Sequence, residues 1–274
     1  MSDSHKDEPR IHWDLFLSEM VGTGLLLLTG LSLVILMFGE GSPVARWIPS
    51  ETVRRSLSGF VFGCFGGMIA VSPVGRVSGA HINPAVTFGF LLAGKLTPRM
   101  ALGYVLAQLT GATLGCMPLL AWGAMGRSIS FGATLPGPGC ATSTVLLGEA
   151  LTIFALVASL CVFIATREIR QFTPAMIPFL YAVMVPLEAS ISGTSTNPAR
   201  TFGPAVISGQ WQGWWIYWVG PMIGTIAAVL TCSLFLARIE VAKLYYFESD
   251  RSGVFRRMSQ RVRARVEARA AARR

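Results

Sequence analysis

The chain has 274 residues, of which 52% are hydrophobic and 14% are charged, and its formal net charge at pH 7 is +9. With a mean hydropathy of +0.55, this composition is typical of an integral membrane protein and excludes a soluble globular domain.

Six apolar segments are long enough to cross a membrane, because a hydrocarbon core of about 30 Å needs about 20 helical residues. In chain order, the predicted spans are Asp14–Phe38, Val53–Ser72, Pro98–Trp122, Val145–Thr166, Pro174–Ala189 and Trp214–Ala237. The first span is too long and too continuous for a cleaved signal peptide. We predict one membrane domain over residues 14–238, preceded by a tail of residues 1–13 and followed by a basic tail of residues 239–274.

A short polar motif occurs twice, as SGAHINPAVTFG at residues 78–89 and as SGTSTNPARTFG at residues 192–203. Asn is a good N-cap residue, and Pro is best tolerated at the first helical position, where its missing N–H would have no partner. Each motif therefore predicts the start of a helix. The residues at these two starts are Asn83, Pro84 and Ala85, and Asn197, Pro198 and Ala199.

The helix after Pro84 is predicted to end at about Leu92, so at about 1.5 Å per residue it crosses only about half of the hydrocarbon core. Non-helical backbone at that depth is tolerated only where it is buried in protein or lines a water-filled cavity. The loops that precede the two half-helices are therefore predicted to line a cavity.

The distribution of Lys and Arg predicts the orientation, since cytoplasmic loops are enriched in both. The residues assigned to the cytoplasm are Lys6, Arg10, Arg76, Lys95, Arg99, Arg167, Arg170 and the basic run after Arg238. Those left outside are Arg46, Arg54, Arg55, Arg127 and Arg200. Both termini are then cytoplasmic, and the predicted location is the plasma (cell inner) membrane. With three spans per half, repeat two (about 145–238) is inverted relative to repeat one (about 14–122), and the half-helix N-termini meet near the midplane.

Each repeat also carries a Glu near the start of its first span, Glu19 in one and Glu149 in the other. A carboxylate inside an apolar helix is costly unless it faces a polar partner, and the free backbone N–H groups of a re-entrant loop are suitable partners. Either Glu could instead lie at the level of the lipid headgroups. Its occurrence at the same place in both halves favours a buried role that braces the loops.

On these residues the chain resembles the aquaporin, or major intrinsic protein, family. Paired Asn-Pro-Ala motifs with an Arg directly after the second are highly specific, and the resemblance covers residues 14–238. It implies an all-α membrane protein with six tilted transmembrane helices, two re-entrant half-helices and an inverted internal repeat, assembled in the lipid bilayer as a homotetramer. The implied function is passive conduction of water and small uncharged solutes.

The half-helices would point the positive ends of their dipoles at the pore centre, reinforced by the amide donors of Asn83 and Asn197, and so repel cations and protons. The resemblance places a ladder of hydrogen-bond-accepting carbonyls along the two loops, on Gly79, Ala80 and His81 and on Gly193, Thr194 and Ser195.

The resemblance, applied to the motifs without gaps, places the four positions of the outer selectivity filter on Gly63, Val185, Thr194 and Arg200. Water-selective members usually have an aromatic residue at the first position and His at the second, so Gly63 and Val185 predict a wider opening that passes a solute larger than water, such as glycerol or ammonia. The residues after the second motif instead resemble the water-channel branch: Thr201, Ala205, Tyr217 and Trp218.

Gly63 also permits another interpretation. It belongs to a glycine-rich helix face with Gly59, Gly66 and Gly67, and such spacing is typical of closely packed transmembrane helices. If the second span is rotated, Phe62 or Phe65 would fill the gap in the filter.

Other functions have weaker support. The five cysteines are scattered, His81 lacks a second ligand at metal spacing, and no nucleophile with a base is present, so neither a metal, a cofactor nor an enzyme is predicted. The basic tail needs only anionic lipid as its partner, so no nucleic acid is expected. An ion-coupled transporter would need titratable groups at the midplane, and Glu188 is expected nearer the outer mouth. A scaffold with a closed pore would not need Asn83, Asn197 and Arg200.

Overall fold

The computed structural model describes residues 12–235 together with residue 271. The predicted tails therefore lie almost wholly outside the described residues. The described chain is helical and contains no β-strand. Its α-helices are α1 (Trp13–Phe38), α2 (Val44–Trp47), α3 (Glu51–Val71), α4 (Pro73–Ser78), α5 (Pro84–Leu92), α6 (Pro98–Cys116), α7 (Gly123–Arg127), α8 (Thr142–Ala165), α9 (Thr173–Ser192), α10 (Pro198–Ser208) and α11 (Ile216–Phe235). Short 3-10 helices cover Met117–Trp122, Ser130–Gly132 and Arg170–Phe172.

The six long helices α1, α3, α6, α8, α9 and α11 correspond to the six predicted spans, with ends that differ by a few residues. Within residues 12–235, five helical segments are long and apolar enough to cross a membrane: Trp13–Phe38, Pro98–Arg127, Thr142–Ala165, Arg170–Ser192 and Ile216–Phe235. Helix α3 is not among them. Its first turns carry charged residues and its remainder is rich in glycine and serine, which lowers its hydropathy.

The helices pack in a way that reflects the internal repeat. In the first half α1 packs along α6, and in the second half α8 packs along α11. The two halves meet chiefly where α3 packs against α9. The half-helices α5 and α10 lie inside this bundle, in contact with the long helices of the opposite half: α5 contacts α11, and α10 contacts α6.

Local chemistry explains where the helices around the pore begin. Ser72 accepts a hydrogen bond from Gly75 N at 3.2 Å, and Thr97 accepts one from Met100 N at 3.3 Å. Pro follows each cap directly, at the position where a missing N–H removes no helical hydrogen bond. The half-helices α5 and α10 start in the same way, with Asn as the cap.

Glycines allow α3 to approach α9 so closely that no side chain fits between them. A Cβ atom on Gly59 would lie 2.3 Å from Tyr181 O, and one on Gly63 would lie 2.6 Å from Pro178 Cα. One turn further, a Cβ atom on Gly67 would lie 2.8 Å from Pro174 O. These three glycines therefore form the contact face of α3, because small residues let two membrane helices pack backbone against backbone.

The contact predicts opposite effects for two alanine substitutions on α3. Gly63→Ala should destabilise the protein by about 1–3 kcal/mol, since its new methyl group would overlap the α9 backbone. Gly66→Ala is the control, because its Cβ would have Leu26 Cδ1 as its nearest neighbour, at 3.9 Å, and alanine is the better helix former. Thermal unfolding of the detergent-solubilised protein measures the difference. Equal unfolding temperatures for the two variants would contradict the packing of Gly63 described here.

Candidate solute pore

The two Asn-Pro-Ala motifs meet end to end inside the bundle. The side-chain oxygen of Asn83 accepts from Ala85 N at 2.8 Å, and that of Asn197 accepts from Ala199 N at 3.0 Å, so each Asn caps its own half-helix. Each amide nitrogen also donates across to the opposite loop: Asn83 Nδ2 to Thr196 O and Asn197 Nδ2 to Ile82 O, both at 2.9 Å. The N-termini of α5 and α10 are thus joined by a reciprocal pair of hydrogen bonds.

The first loop is held by Glu19, whose side chain is fully buried. Its carboxylate accepts from His81 N at 2.9 Å and from Ile82 N at 2.7 Å. It also accepts from Gln108 Nε2 at 2.8 Å. Such burial does not fit a position among lipid headgroups.

The second loop is held in the same manner by Glu149, which is also fully buried. Its carboxylate accepts from Ser195 N at 2.8 Å and from Thr196 N at 2.9 Å, and from the hydroxyl of Ser192. Each carboxylate therefore satisfies two consecutive backbone N–H groups that the non-helical loop leaves without a helical partner.

Both loops also adopt the same unusual backbone. Positive φ angles occur at Gly79 (91°), Ala80 (50°) and Ile82 (41°), and at the corresponding positions Gly193 (80°), Thr194 (51°) and Thr196 (52°). Non-glycine residues adopt this region only at an energetic cost, so the surrounding contacts must hold them there. Besides the two carboxylates, two buried tyrosines contribute: Tyr104 donates to Ser78 O at 2.9 Å, and Tyr217 donates to Ser192 O at 2.8 Å.

Two cavities lie next to the loops that precede the half-helices. The cavity that does not contact Asn83 or Asn197, which we call the outer cavity, has a volume of about 230 Å³. Its lining includes Val185, Gly193, Thr194, Ser195 and Arg200. The inner cavity, of about 60 Å³, is lined by both Asn83 and Asn197 and by Ala80, His81 and Ile82. A wider groove has four lining residues in common with the outer cavity, so the groove opens into that cavity. The shared residues are Arg55, Ala133, Ala189 and Gly193. Of the predicted carbonyl positions, Gly79 lines neither cavity.

The predicted filter positions do not all lie together. Val185, Thr194 and Arg200 line the outer cavity, whereas Gly63 borders the inner one. The direction in which a side chain at Gly63 would point is filled by the backbone of Pro178. Gly63 is thus part of the contact between α3 and α9 and does not line the outer cavity. Phe62 lines that cavity instead. Phe65 packs against the cluster of Leu26, Ile69 and Ile82.

Arg200 lies in the first turn of α10 with 8% of its surface exposed. Its Nη1 donates to Gly132 O at 2.6 Å, so the loop that contains Gly132 fixes the guanidinium beside the outer cavity. A chain of hydroxyls supports the same region, since Thr201 Oγ1 lies 2.7 Å from Thr134 Oγ1 and 2.6 Å from Ser195 Oγ.

One residue of α9 that lines the cavities, Tyr181, was not predicted from the sequence. Tyr181 lines both cavities. Its position one helical turn before the predicted filter residue Val185 is the signal in the sequence that could have suggested this. Glu188, expected near the outer mouth, has 4% of its surface exposed and packs against α8. A Cβ atom on Gly148 would lie 2.7 Å from Glu188 Oε1, so the missing side chain at Gly148 makes room for this carboxyl.

Comparisons with known proteins agree with this geometry. The family described as "Major intrinsic protein" matches residues 8–232 of the chain. The chain belongs to the major intrinsic protein family. "Aquaporin TIP2-1" of Arabidopsis thaliana is 31% identical to this family member over 229 residues, which are 82% of this chain and 88% of that protein. "Probable aquaporin TIP2-1" of Oryza sativa subsp. japonica is 37% identical over 162 residues, 57% of this chain and 62% of that protein.

The fold has a counterpart among solved structures. The chain superposes on the X-ray structure of the aquaglyceroporin from Plasmodium falciparum with a TM-score of 0.64 and 19% sequence identity, over 82% of this chain and 96% of that one. The predicted fold class is confirmed: six membrane helices and two half-helices in an inverted repeat. This major intrinsic protein is a multi-pass membrane channel for water and small solutes and not an enzyme.

The two buried carboxylates generate a prediction. Glu149→Gln should destabilise the protein by about 1–3 kcal/mol, because the amide offers one acceptor oxygen where the carboxylate offers two, and its NH₂ group would face a backbone N–H. The exposed Glu40 supplies the matched control, Glu40→Gln, which should change nothing. Thermal unfolding in detergent checks both variants, and a Glu149→Gln protein as stable as the control would refute the bracing role.

Proposed function

We propose that this channel conducts water and other small uncharged solutes passively and excludes protons and other ions. The observation that carries the proposal is the reciprocal pairing of Asn83 and Asn197 where the N-termini of α5 and α10 meet beside the inner cavity.

Exclusion of protons is proposed to follow from the direction of the hydrogen bonds at this junction. An amide carries two N–H donors, so each Asn, after donating one to the opposite loop, retains one for the oxygen of a passing water. Such a water has both of its own hydrogens directed away from the junction, so it cannot relay a proton across it. The positive ends of the two half-helix dipoles add an electrostatic barrier to cations.

Arg200 is proposed to reject cations at the outer cavity. Its charge lies in a largely buried site, where Coulomb repulsion is screened less than in water. Val185 and Thr194 line the same cavity. We propose that these two residues form the selectivity filter together with Arg200. The loop residues that line the cavities, Ala80, His81, Gly193 and Ser195, supply the accepting carbonyls in this proposal.

Two alternatives lead to different expectations. A glycerol- or ammonia-type facilitator with little water selectivity is favoured by Val185, which replaces the His of water-selective relatives. An ion-coupled transporter is disfavoured, because none of the described residues that line the inner cavity is an Asp, Glu, Lys or Arg.

The remaining assignments are also proposals. The chain forms a homotetramer with one pore per protomer, which mass determination of the detergent-solubilised protein tests. The channel domain covers residues 14–238 between two cytoplasmic tails, and the protein resides in the plasma (cell inner) membrane. The positive-inside distribution of Lys and Arg supports this orientation.

Reconstitution tests the proposed function directly. Proteoliposomes should show water flux with a low activation energy and no proton flux above that of protein-free vesicles. Stopped-flow light scattering measures the first quantity, and an entrapped pH-sensitive dye at clamped membrane potential measures the second. A proton flux comparable to the water flux would overturn the proposal.

A second prediction concerns Arg200. Arg200→Gln should raise the flux of protons or small cations by about tenfold or more, because it removes the fixed positive charge beside the outer cavity. Arg127→Gln is the matched control, since Arg127 is exposed and does not line the outer cavity. The same dye assay compares them, and equal ion fluxes in the two variants would exclude Arg200 from the barrier.

A further inference from the structure

Glu188 of α9 has a buried carboxyl group that forms no hydrogen bond. The residue has 4% of its surface exposed, and neither of its carboxyl oxygens has a hydrogen-bond partner among the described residues. The carboxyl packs against α8, where a Cβ atom on Gly148 would lie 2.7 Å from Glu188 Oε1. Glu188 lines neither the outer nor the inner cavity. An acidic side chain is thus built into the wall of the pore.

A second buried carboxyl group, that of Glu149, lies beside Glu188 and interacts with it electrostatically. Glu149 follows Gly148 directly in α8. Two neighbouring carboxyl groups cannot both be charged without a large cost where water is excluded, because their negative charges repel each other. One of the two groups therefore retains a proton.

The hydrogen bonds show which of the two groups is charged. Glu149 accepts from two backbone N–H groups of the second loop and from the Ser192 hydroxyl, and it also interacts with Arg200. Donated hydrogen bonds and a neighbouring cation both stabilise a carboxylate. Glu188 has no such hydrogen bond, so its charge would be buried without compensation, which costs far more than burying a neutral carboxyl group. The proton therefore belongs on Glu188.

We propose that Glu188 is a proton-binding site that regulates the pore. With its proton it leaves the second loop braced by Glu149, and loss of the proton weakens that brace and lowers the water permeability. This inference rests on the proposed function, since it concerns the regulation of the same pore. Glu188 acts through Glu149 and does not touch the solute, so it is a positioning residue.

The titratable and charged groups that face Glu188 would not neutralise a carboxylate there. From α8 it faces Glu149, which carries a negative charge, and from α11 it faces Tyr217. The Tyr217 hydroxyl already donates to a carbonyl of the second loop at 2.8 Å. Arg200 of α10 already interacts with Glu149. Loss of the Glu188 proton therefore adds a negative charge that repels Glu149.

This repulsion would act on the contacts that hold the second loop. Glu149 binds two consecutive backbone N–H groups of that loop, and Thr196, which supplies one of them, accepts from Asn83 Nδ2 at 2.9 Å. If Glu149 moved away, both N–H groups would lose their acceptor at membrane depth, where water does not replace it. Thr194, which lines the outer cavity, also lies beside Glu188. A charge on Glu188 therefore disturbs the loop that forms the wall of the pore.

The same substitution at the two carboxyl groups gives the first test. Glu188→Gln replaces a neutral carboxyl by a neutral amide of the same shape, so at about pH 7 the variant should unfold at the wild-type temperature or above it. Glu149→Gln should unfold at a lower temperature. The folded wild type also retains a proton that the unfolded chain releases, so its stability should fall as the pH rises, and that of Glu188→Gln should fall less. Thermal unfolding in detergent measures both effects. A Glu188→Gln protein as destabilised as Glu149→Gln would overturn the inference.

Water permeability as a function of pH tests the regulation itself. Stopped-flow light scattering is recorded on proteoliposomes with the same pH on both sides, from about pH 5 to about pH 9, a range that covers proton loss from exposed and buried carboxyl groups. Wild-type permeability should fall severalfold as the pH rises, and Glu188→Gln should keep the value that the wild type has at low pH. Glu40→Gln is the matched control, because Glu40 is exposed, and it should follow the wild-type profile.

The outcomes separate this inference from the proposed function. A water-permeable wild type without pH dependence would overturn the regulation and leave the proposed function intact, as would a Glu188→Gln channel with the wild-type profile. A wild type impermeable to water at every pH would overturn the proposed function and this regulation with it.

Discussion

The pore depends on how the backbone N–H groups of its two non-helical loops are satisfied inside a membrane. In hydrocarbon an unpaired backbone polar group costs several kcal/mol, so such loops need acceptors from the protein itself. Glu19 and Glu149 supply them, each to two consecutive N–H groups. Because the two carboxylates fix the loops, the loops in turn can hold Asn83 and Asn197 against each other. The capping of the half-helices and the position of Thr196 beside Tyr181 both follow from this one arrangement.

Close helix packing determines which side chains reach the pore. Gly59, Gly63 and Gly67 form one face of α3 and lie against the α9 backbone. Since consecutive helical residues point about 100° apart, the residue beside a contact glycine is turned away from the contact. Phe62 is in that position and faces the cavities, so the same packing that buries Gly63 exposes the aromatic ring to the lumen. The burial of Gly63 and the position of Phe62 beside the cavities are two consequences of one helix rotation.

The sequence predicted those parts of the molecule that local chemistry determines. The capped half-helices follow from Asn and Pro at adjacent positions. All six spans were predicted from their apolar composition, including α3, although its glycines and serines lower its hydropathy. The sequence left two positions open for Gly63, in the filter or in a helix contact, because an alignment without gaps counts residues from the motif and does not specify how a helix is rotated. The structure has Gly63 against α9 and Phe62 beside the outer cavity. Tyr181 was missed because its contact with Thr196 joins two elements whose relative position depends on the folded loop. The burial of Glu188 depends on Gly148, a residue of another helix. The residues next to Glu188 in the sequence therefore do not indicate that its side chain is buried.

The internal repeat separates what builds the pore from what makes it selective. The paired elements are structural: the Asn caps, the bracing Glu residues and the positive φ angles occur at corresponding positions in both halves. Arg200, to which selectivity is ascribed, and Tyr181, which lines both cavities, are unpaired. At the position of Arg200, three residues after the motif Asn, the first half has Val86. Tyr181 lies sixteen residues before Asn197, and the residue sixteen positions before Asn83 in the first half is Gly67, which packs against Pro174 O. A strictly symmetric pore would carry charge and bulk on both sides of its centre. The symmetry is therefore broken at these positions, and the Asn pair remains the midpoint of an otherwise duplicated scaffold.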